Sequence, residues 1–226
     1  SYGDQGGAVG YLVGEENKGL MYMFTMMNAA RHAVGREGMA IAEASYQLAL
    51  KYAQTRVQGN ATGDQENTNT IIGHPDVKRM LMLMKSQVEA MRAVNYLCAF
   101  EYDLAERHSN KDVRALAERR GDLLTPIVKG WSTEIGQKLT SVGVQIHGGM
   151  GFVEETGAAQ YLRDSRITTI YEGTTGIQAA DLVGRKTLRD GGKAIRELIA
   201  DMKETLNVMN GDDKTLEIIR DSFAQS

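Results

Sequence analysis

The chain has 226 residues, 42% of them hydrophobic, enough for one large domain with a real core or for one domain with an appended piece. Its 26 Lys and Arg are outnumbered by 29 Asp and Glu; a net charge of -3 gives no general affinity for nucleic acid or anionic membrane, so an anionic ligand must be held by local arginines. The single cysteine, Cys98, excludes an intrachain disulfide framework, and no apolar run approaches the roughly 18 residues of a membrane span, so a cytoplasmic protein is expected.

The opening SYGDQGGAVGYLVGEENKGL lacks Met and reads as a polar turn, a short strand AVGYLVG, a second turn and the start of a helix. A lone strand cannot bury its edges, so residues 1–17 are expected to be the remnant of a β-domain completed elsewhere. From about Lys18 to Arg56, Met39, Ala42, Tyr46, Ala49 and Ala53 recur at steps of three and four, while Glu43, Gln47, Lys51 and Gln54 lie mostly on the other side. This is a long amphipathic helix. Asn60 to Gly73, NATGDQENTNTIIG, has no period and reads as a loop of unusual length for a compact bundle.

A second helix opens at HPDV, where Pro75 suits the first helical position, and runs through Val77, Met80, Met84, Val88, Met91, Val94 and Cys98. Spacing alone assigns its methionines and Cys98 to the core rather than to a metal or a reactive thiol. HSNKD is a break in which Asn110 is placed to cap a short charged helix, DVRALAERRGD. A third long helix then carries Ile127, Trp131, Ile135, Leu139, Val142 and Ile146, and stops at HGGMG. Closing an up-and-down bundle requires a fourth helix, and TTGIQAADLVGRKTL is the candidate. Beyond the DGG turn after Arg189, Lys193 to Met209 and Asp213 to Phe223 are amphipathic and read as an appended helical region. The expected division is 1–17, a bundle domain over 18–189, and 190–226. The expected fold class is all-α, a four-helix bundle.

Metal and nucleophile constellations are absent. His32, His74, His108 and His147 are scattered, there is no Cys pair and no HExxH. HGGMG lacks the lysine and hydroxyl residue of a phosphate-binding P-loop, and alone it is a helix stop. What distinguishes it is the run that follows, QIHGGMGFVEETGAAQYLRDSRITTIYEGTTGIQ, which places Glu172 between a tyrosine and a glycine.

Over that run the sequence closely resembles the acyl-CoA dehydrogenase family, in Gln145-x-x-Gly148-Gly149-x-Gly151-Phe152, in Arg163-Asp164 and in Ile170-Tyr171-Glu172-Gly173-Thr174, in the family's order and spacing. The likeness extends back through RHAVGREGMAIAEASYQLALKYAQTRVQG and covers most of the chain to about Arg189. It implies an FAD-dependent enzyme that oxidises an acyl-CoA thioester to a 2-enoyl-CoA and passes electrons to electron-transfer flavoprotein. Position by position, it implies that Glu172 removes the α-proton, that Gly173 lets the thioester lie against the backbone, and that Asn28 and Arg31 line the acyl-CoA site. It further assigns FAD contacts to Arg56, to Gln145, Ile146, His147, Gly148 and Gly149, and to Thr174 and Gly176. A free carboxylate is a poor base for a carbon acid, and closing an apolar pocket over one raises its proton affinity. Without the flanking motifs, Glu172 would read as an exposed carboxylate near a helix N-terminus.

Two departures separate this chain from many members: Asn28 and Gly176 stand where an aspartate and a glutamine are common, and the usual R-x-x-F-G is shortened to Arg56-Val57-Gln58-Gly59. With the polar loop and the C-terminal helices, they resemble the branch of larger bacterial members that includes methylmercaptopropionyl-CoA dehydrogenase-like proteins. Helix geometry adds one expectation. Arg31 and Arg56, 25 residues apart, lie on nearly one face but roughly 38 Å from each other. They cannot hold the same part of one ligand, which points to a homodimer, or a dimer of dimers, with FAD at the interface. The chain alone is expected to be inactive, an acyl-CoA oxidase is the alternative chemistry, and a non-catalytic scaffold or nucleic-acid-binding relative is the alternative class.

Overall fold

The computed structural model describes residues 2–60, 69–209 and 214–225. Helix α1 (Gly19–Thr55), α2 (Pro75–Arg107) and α3 (Lys111–His147) form three long columns, α1 and α3 running parallel and α2 antiparallel to both. A short α4 (Gly149–Phe152) follows, then α5 (Ala158–Thr168), α6 (Thr175–Asp181) continuing into a π-helical stretch over Leu182–Leu188, α7 (Lys193–Val208) and α8 (Lys214–Ala224). The fourth column is shared: α5 packs on α1 and α3, and α6 packs on α3. Between them the chain breaks helix at Thr169–Thr174. That break carries Glu172.

The main core is the apolar stripe read from the sequence. Met39, Ala42, Tyr46, Ala49 and Ala53 of α1 meet Met80, Met84, Val88 and Met91 of α2 and Leu139 and Ile146 of α3, all buried. Cys98 is buried with Leu124 and Val128, and burial pushes its thiol up to about 11, so it behaves as a small apolar side chain. Where α1 crosses α3 the backbones themselves meet: a Cβ on Gly136 would lie 2.6 Å from the Gly38 carbonyl oxygen, and one on Gly38 would lie 2.9 Å from Thr133 Cα. No residue larger than glycine fits there without moving a helix.

Three expectations are corrected. AVGYLVG forms no strand; Val9, Tyr11, Leu12 and Val13 are exposed, because nothing in the described residues offers a ladder to pair with. The charged segment after Asn110 is not a separate short helix but the first part of α3, which runs unbroken through Pro126. One face of that segment is buried through Ala117, Gly121 and Leu124, and Arg120 pairs with Glu101 at 3.7 Å and with Asp201 of α7, so tertiary contacts outweigh the loss of one helical hydrogen bond at proline. The polar loop is shorter than read: Ile71–Gly73 is a helical turn with Ile71 buried, and Val57 bridges Thr70. Residues 61–68 of that loop lie outside the described residues.

Local signals held where local chemistry decides. Asn110 caps α3 by accepting the Asp112 amide at 2.8 Å, and Pro75 opens α2. Asp190 accepts the amides of Ala194, Gly192 and Lys193 at the start of α7, which holds its carboxyl below the usual range. Helix α7 then docks on α3 through Leu198 and an Arg119–Glu197 pair at 3.0 Å. No helix among the described residues is long and apolar enough to cross a membrane.

The α1–α3 contact gives a direct test. Gly136→Val forces two backbones apart and is expected to destabilise the fold by about 1–3 kcal/mol in chemical denaturation, whereas Gly184→Ala, in open space, should stay within about 0.5 kcal/mol of the parent.

Candidate active site

Two regions gather the residues singled out in the sequence, one against the middle of α1 and one at its C-terminal end. At the first, the turn after α5 puts Glu172 at φ 55° and Gly173 at φ 91°. Left-handed backbone suits glycine but costs a side-chain-bearing residue on the order of 1 kcal/mol, so the neighbours must over-determine the turn. They do so from behind. The Glu172 carbonyl accepts from Arg31 Nε at 3.3 Å and from Gln178 Nε2 at 3.3 Å, and the Gly173 carbonyl accepts from the same Gln178 amide at 3.0 Å. A Cβ on Gly173 would lie 2.9 Å from that amide, so glycine is required by the clamp as well as by φ.

Arg31 is itself fixed by an ion pair to Asp181 Oδ2 at 2.7 Å, with both side chains under 7% exposed. Asp181 Oδ1 faces Arg185 of the π-helical stretch at 3.6 Å, too long for a hydrogen bond but close enough for charge. In front of the turn, Tyr171 donates to Glu37 of α1; burial and that carboxylate push the phenol up to about 12. Thr175 Oγ1 donates to Glu134 at 2.6 Å, tying α6 to α3. The Glu172 side chain is half-buried and forms no protein hydrogen bond in the described residues, which leaves its carboxylate free to meet a ligand.

Asn28 donates to Asp122 Oδ1 at 2.7 Å, and Lys186 pairs with the same carboxylate at 3.0 Å. With Arg31, Asp181, Arg185 and Arg189 they border a cleft of about 380 Å³ next to the Glu172 turn. Arg31 and Asn28, both expected to touch substrate, therefore spend hydrogen bonds on the protein. Arg31 faces the turn from within the core.

At the C-terminal end of α1, Arg56 and Gln145, Ile146, His147, Gly148 and Gly149 line one cavity of about 460 Å³ with Tyr52, His74 and Met150. His147 is buried, stacks on Tyr52 with ring centroids 4.4 Å apart, and shares a 2.7 Å hydrogen bond with the Gly143 carbonyl. Gly148 has φ 59°, and neither it nor Gly149 has an atom within 4 Å of where a Cβ would stand. Their backbone is open to a ligand. Thr174 and Gly176 do not join this cavity; they lie at the start of α6 beside Glu172, so the expected cofactor contacts fall into two separate groups.

Three residues were not foreseen as part of the site: Gln178, Asp181 and His74. Asp181 leaves one signal in the sequence, a charge on the buried side of a helix. Gln178 and His74 leave none, since a polar residue on an amphipathic helix or in a loop is ordinary.

The chain belongs to the acyl-CoA dehydrogenase family: residues 17–187 match the family's C-terminal domain. Among curated relatives, 3-methylmercaptopropionyl-CoA dehydrogenase of Ruegeria pomeroyi is 54% identical over 85% of this chain and 33% of its own length. The broad-specificity linear acyl-CoA dehydrogenase of Mycobacterium tuberculosis is 37% identical over 92% of this chain and 35% of its own. The chain thus spans about a third of these relatives. Among solved structures, butyryl-CoA dehydrogenase from Megasphaera elsdenii is 29% identical with a TM-score of 0.62, covering 76% of this chain and 39% of its own. An acyl-CoA dehydrogenase from Bacillus anthracis complexed with FAD is 25% identical with a TM-score of 0.68, covering 89% of this chain and 34% of its own. The resemblance to the larger bacterial branch accords with the first of these relatives.

The clamp behind Glu172 is open to mutation. Asp181→Ala leaves a buried guanidinium without its partner and is expected to cost about 3–5 kcal/mol in unfolding free energy; Arg185→Ala, at the exposed edge, should cost under about 1 kcal/mol.

Proposed function

We propose that this chain forms the C-terminal helical part of an FAD-dependent acyl-CoA dehydrogenase, in which Glu172 is the base that takes the α-proton of an acyl-CoA thioester. The observation that carries this reading is the geometry of the turn. A carboxylate is held out on a left-handed residue, with its backbone fixed from behind by Arg31 and Gln178 and its side chain uncommitted. A base must be within hydrogen-bond reach of the proton it removes. Here the rigid side of the turn faces the protein and the free side faces outward.

Two features favour FAD at the second site. Gly148 and Gly149 offer bare backbone to a ligand, and Arg56 supplies positive charge for a pyrophosphate. FAD, when bound, supplies the acceptor for the substrate's β-hydride. This chain's own part is to hold the thioester against Gly173, to take the α-proton on the Glu172 carboxylate, and to contribute Thr174 and Gly176 beside the reacting centre. Because Arg56 and the Gln145–Gly149 run lie at the end of α1 away from Glu172, the nucleotide cavity of one protomer serves the reacting centre of another, in a homodimer or dimer of dimers. The remaining walls of both pockets come from parts of the enzyme outside this sequence, and electrons leave to electron-transfer flavoprotein.

In the enzyme that carries this chain, Glu172→Gln is expected to lower kcat at least about 1000-fold while FAD stays bound; unchanged turnover would overturn the assignment. Arg56→Ala is expected to weaken FAD affinity about tenfold or more, read as flavin released on dilution. Monomeric protein with FAD tightly bound would refute the shared site.

A further inference from the structure

Lys129 is fully buried, with the largest side chain to be so among the described residues, and its ammonium has no hydrogen-bond partner among them. Such a group is costly unless something compensates it. Its place in the fold is specific. The residue before it, Val128, touches the backbone of α1 at Gly35, one helical turn from Arg31. The residue after it, Gly130, faces Gln178, whose amide holds the Glu172 and Gly173 carbonyls. Lys129 therefore sits in the corner where α1, α3 and α6 meet behind the Glu172 turn. The charged groups near enough to act on it electrostatically are Arg31 from α1, Glu134 from its own helix and Glu172 from the turn. Arg31 is already neutralised by Asp181, and Glu134 accepts the Thr175 hydroxyl. Glu172 is the one carboxylate of this group with no protein hydrogen bond.

We infer that Lys129 is a positioning residue for Glu172, its ammonium acting through the core as the counter-charge that holds the carboxylate of the turn in place when the site is closed to water. The inference rests on the reading of Glu172 as the base. Burial and Arg31 both push the Lys129 ammonium below its ordinary range, while Glu134 and Glu172 pull it back. A lysine whose folded value lies below its unfolded value leaves the unfolded state binding more protons, so its contribution to stability improves as pH rises through that interval. Removing Glu172's charge deepens the effect and removing the ammonium abolishes it.

A double-mutant cycle in the enzyme that carries this chain tests this. Glu172→Gln is expected to lower Tm at pH 7–8 where residue 129 is Lys, and to leave Tm unchanged or raise it where residue 129 is Met. Additive effects on Tm would overturn the proposal. Lys129→Met is expected to lower kcat about tenfold or more at a KM within about twofold of the parent, with partial recovery in Lys129→Arg; a change confined to KM, or none, also overturns it. Should Lys129→Met fail to fold, Lys129→Gln serves as the neutral background. If that fails too, Glu172→Gln alone decides, and an unchanged or higher Tm at pH 7–8 sinks the idea. Persistent turnover in Glu172→Gln would refute the base while leaving the Tm coupling to be seen. Lost turnover without coupling would keep the base and refute the role of Lys129.

Discussion

Helices α1 and α3 approach until their backbones touch, and the positions of both sites depend on that contact. Gly38 and Gly136 meet with no room for a methyl group, Gly35 takes the Val128 side chain, and Gly143 receives the Ser45 hydroxyl. Side chains of ordinary size at these crossings would hold the axes at the usual 8–10 Å or more. The close approach brings Arg31 on α1 and Lys129 on α3 into one corner, and α6 closes that corner with Gln178 and Asp181. At their C-terminal ends the same two helices set Tyr52 against His147 and so shape the second cavity.

Behind the Glu172 turn the protein buries an unusual amount of charge. Arg31, Asp181 and Lys129 are all nearly inaccessible, while the main core between α1, α2 and α3 is apolar. Buried ion pairs are poor devices for stability, since desolvation cancels much of the attraction. Here they have a different use. Asp181 fixes Arg31, and Arg31 with Gln178 fixes the carbonyls of the turn, so a strained turn is held in one conformation. Strain of that kind persists only where the surroundings over-determine it, and it concentrates where a side chain must be aimed.

The two sites are separated along α1, whose length sets the distance between them. A helix of 37 residues is about 55 Å long; the glutamate turn packs against its middle at Arg31 and Glu37, and the glycine-lined cavity lies at its C-terminal end at Tyr52 and Arg56. The exposed apolar side chains on the outer face of α2, Met82, Leu83, Tyr96, Leu97 and Phe100, are further surface that the bundle by itself does not cover.

Periodicity and local chemistry by themselves determined much here. The steps of three and four over Met39–Ala53 and Val77–Cys98 set which faces are core, Asn110 and Pro75 set helix starts, and the Gly-Gly and Tyr-Glu-Gly runs marked where backbone is bare or turned. These are local properties, carried by the residues that show them. Three things were settled only by packing. Pro126 does not end α3, because contacts from Glu101 and Asp201 to Arg120 outweigh one missing hydrogen bond. AVGYLVG does not become a strand, because a strand exists only through its partner. Arg31 is a buried brace for the turn because Asp181, 150 residues away, lies opposite it. Charge burial is a property of what surrounds a residue, and no spacing along the chain encodes that surrounding until the helices have met.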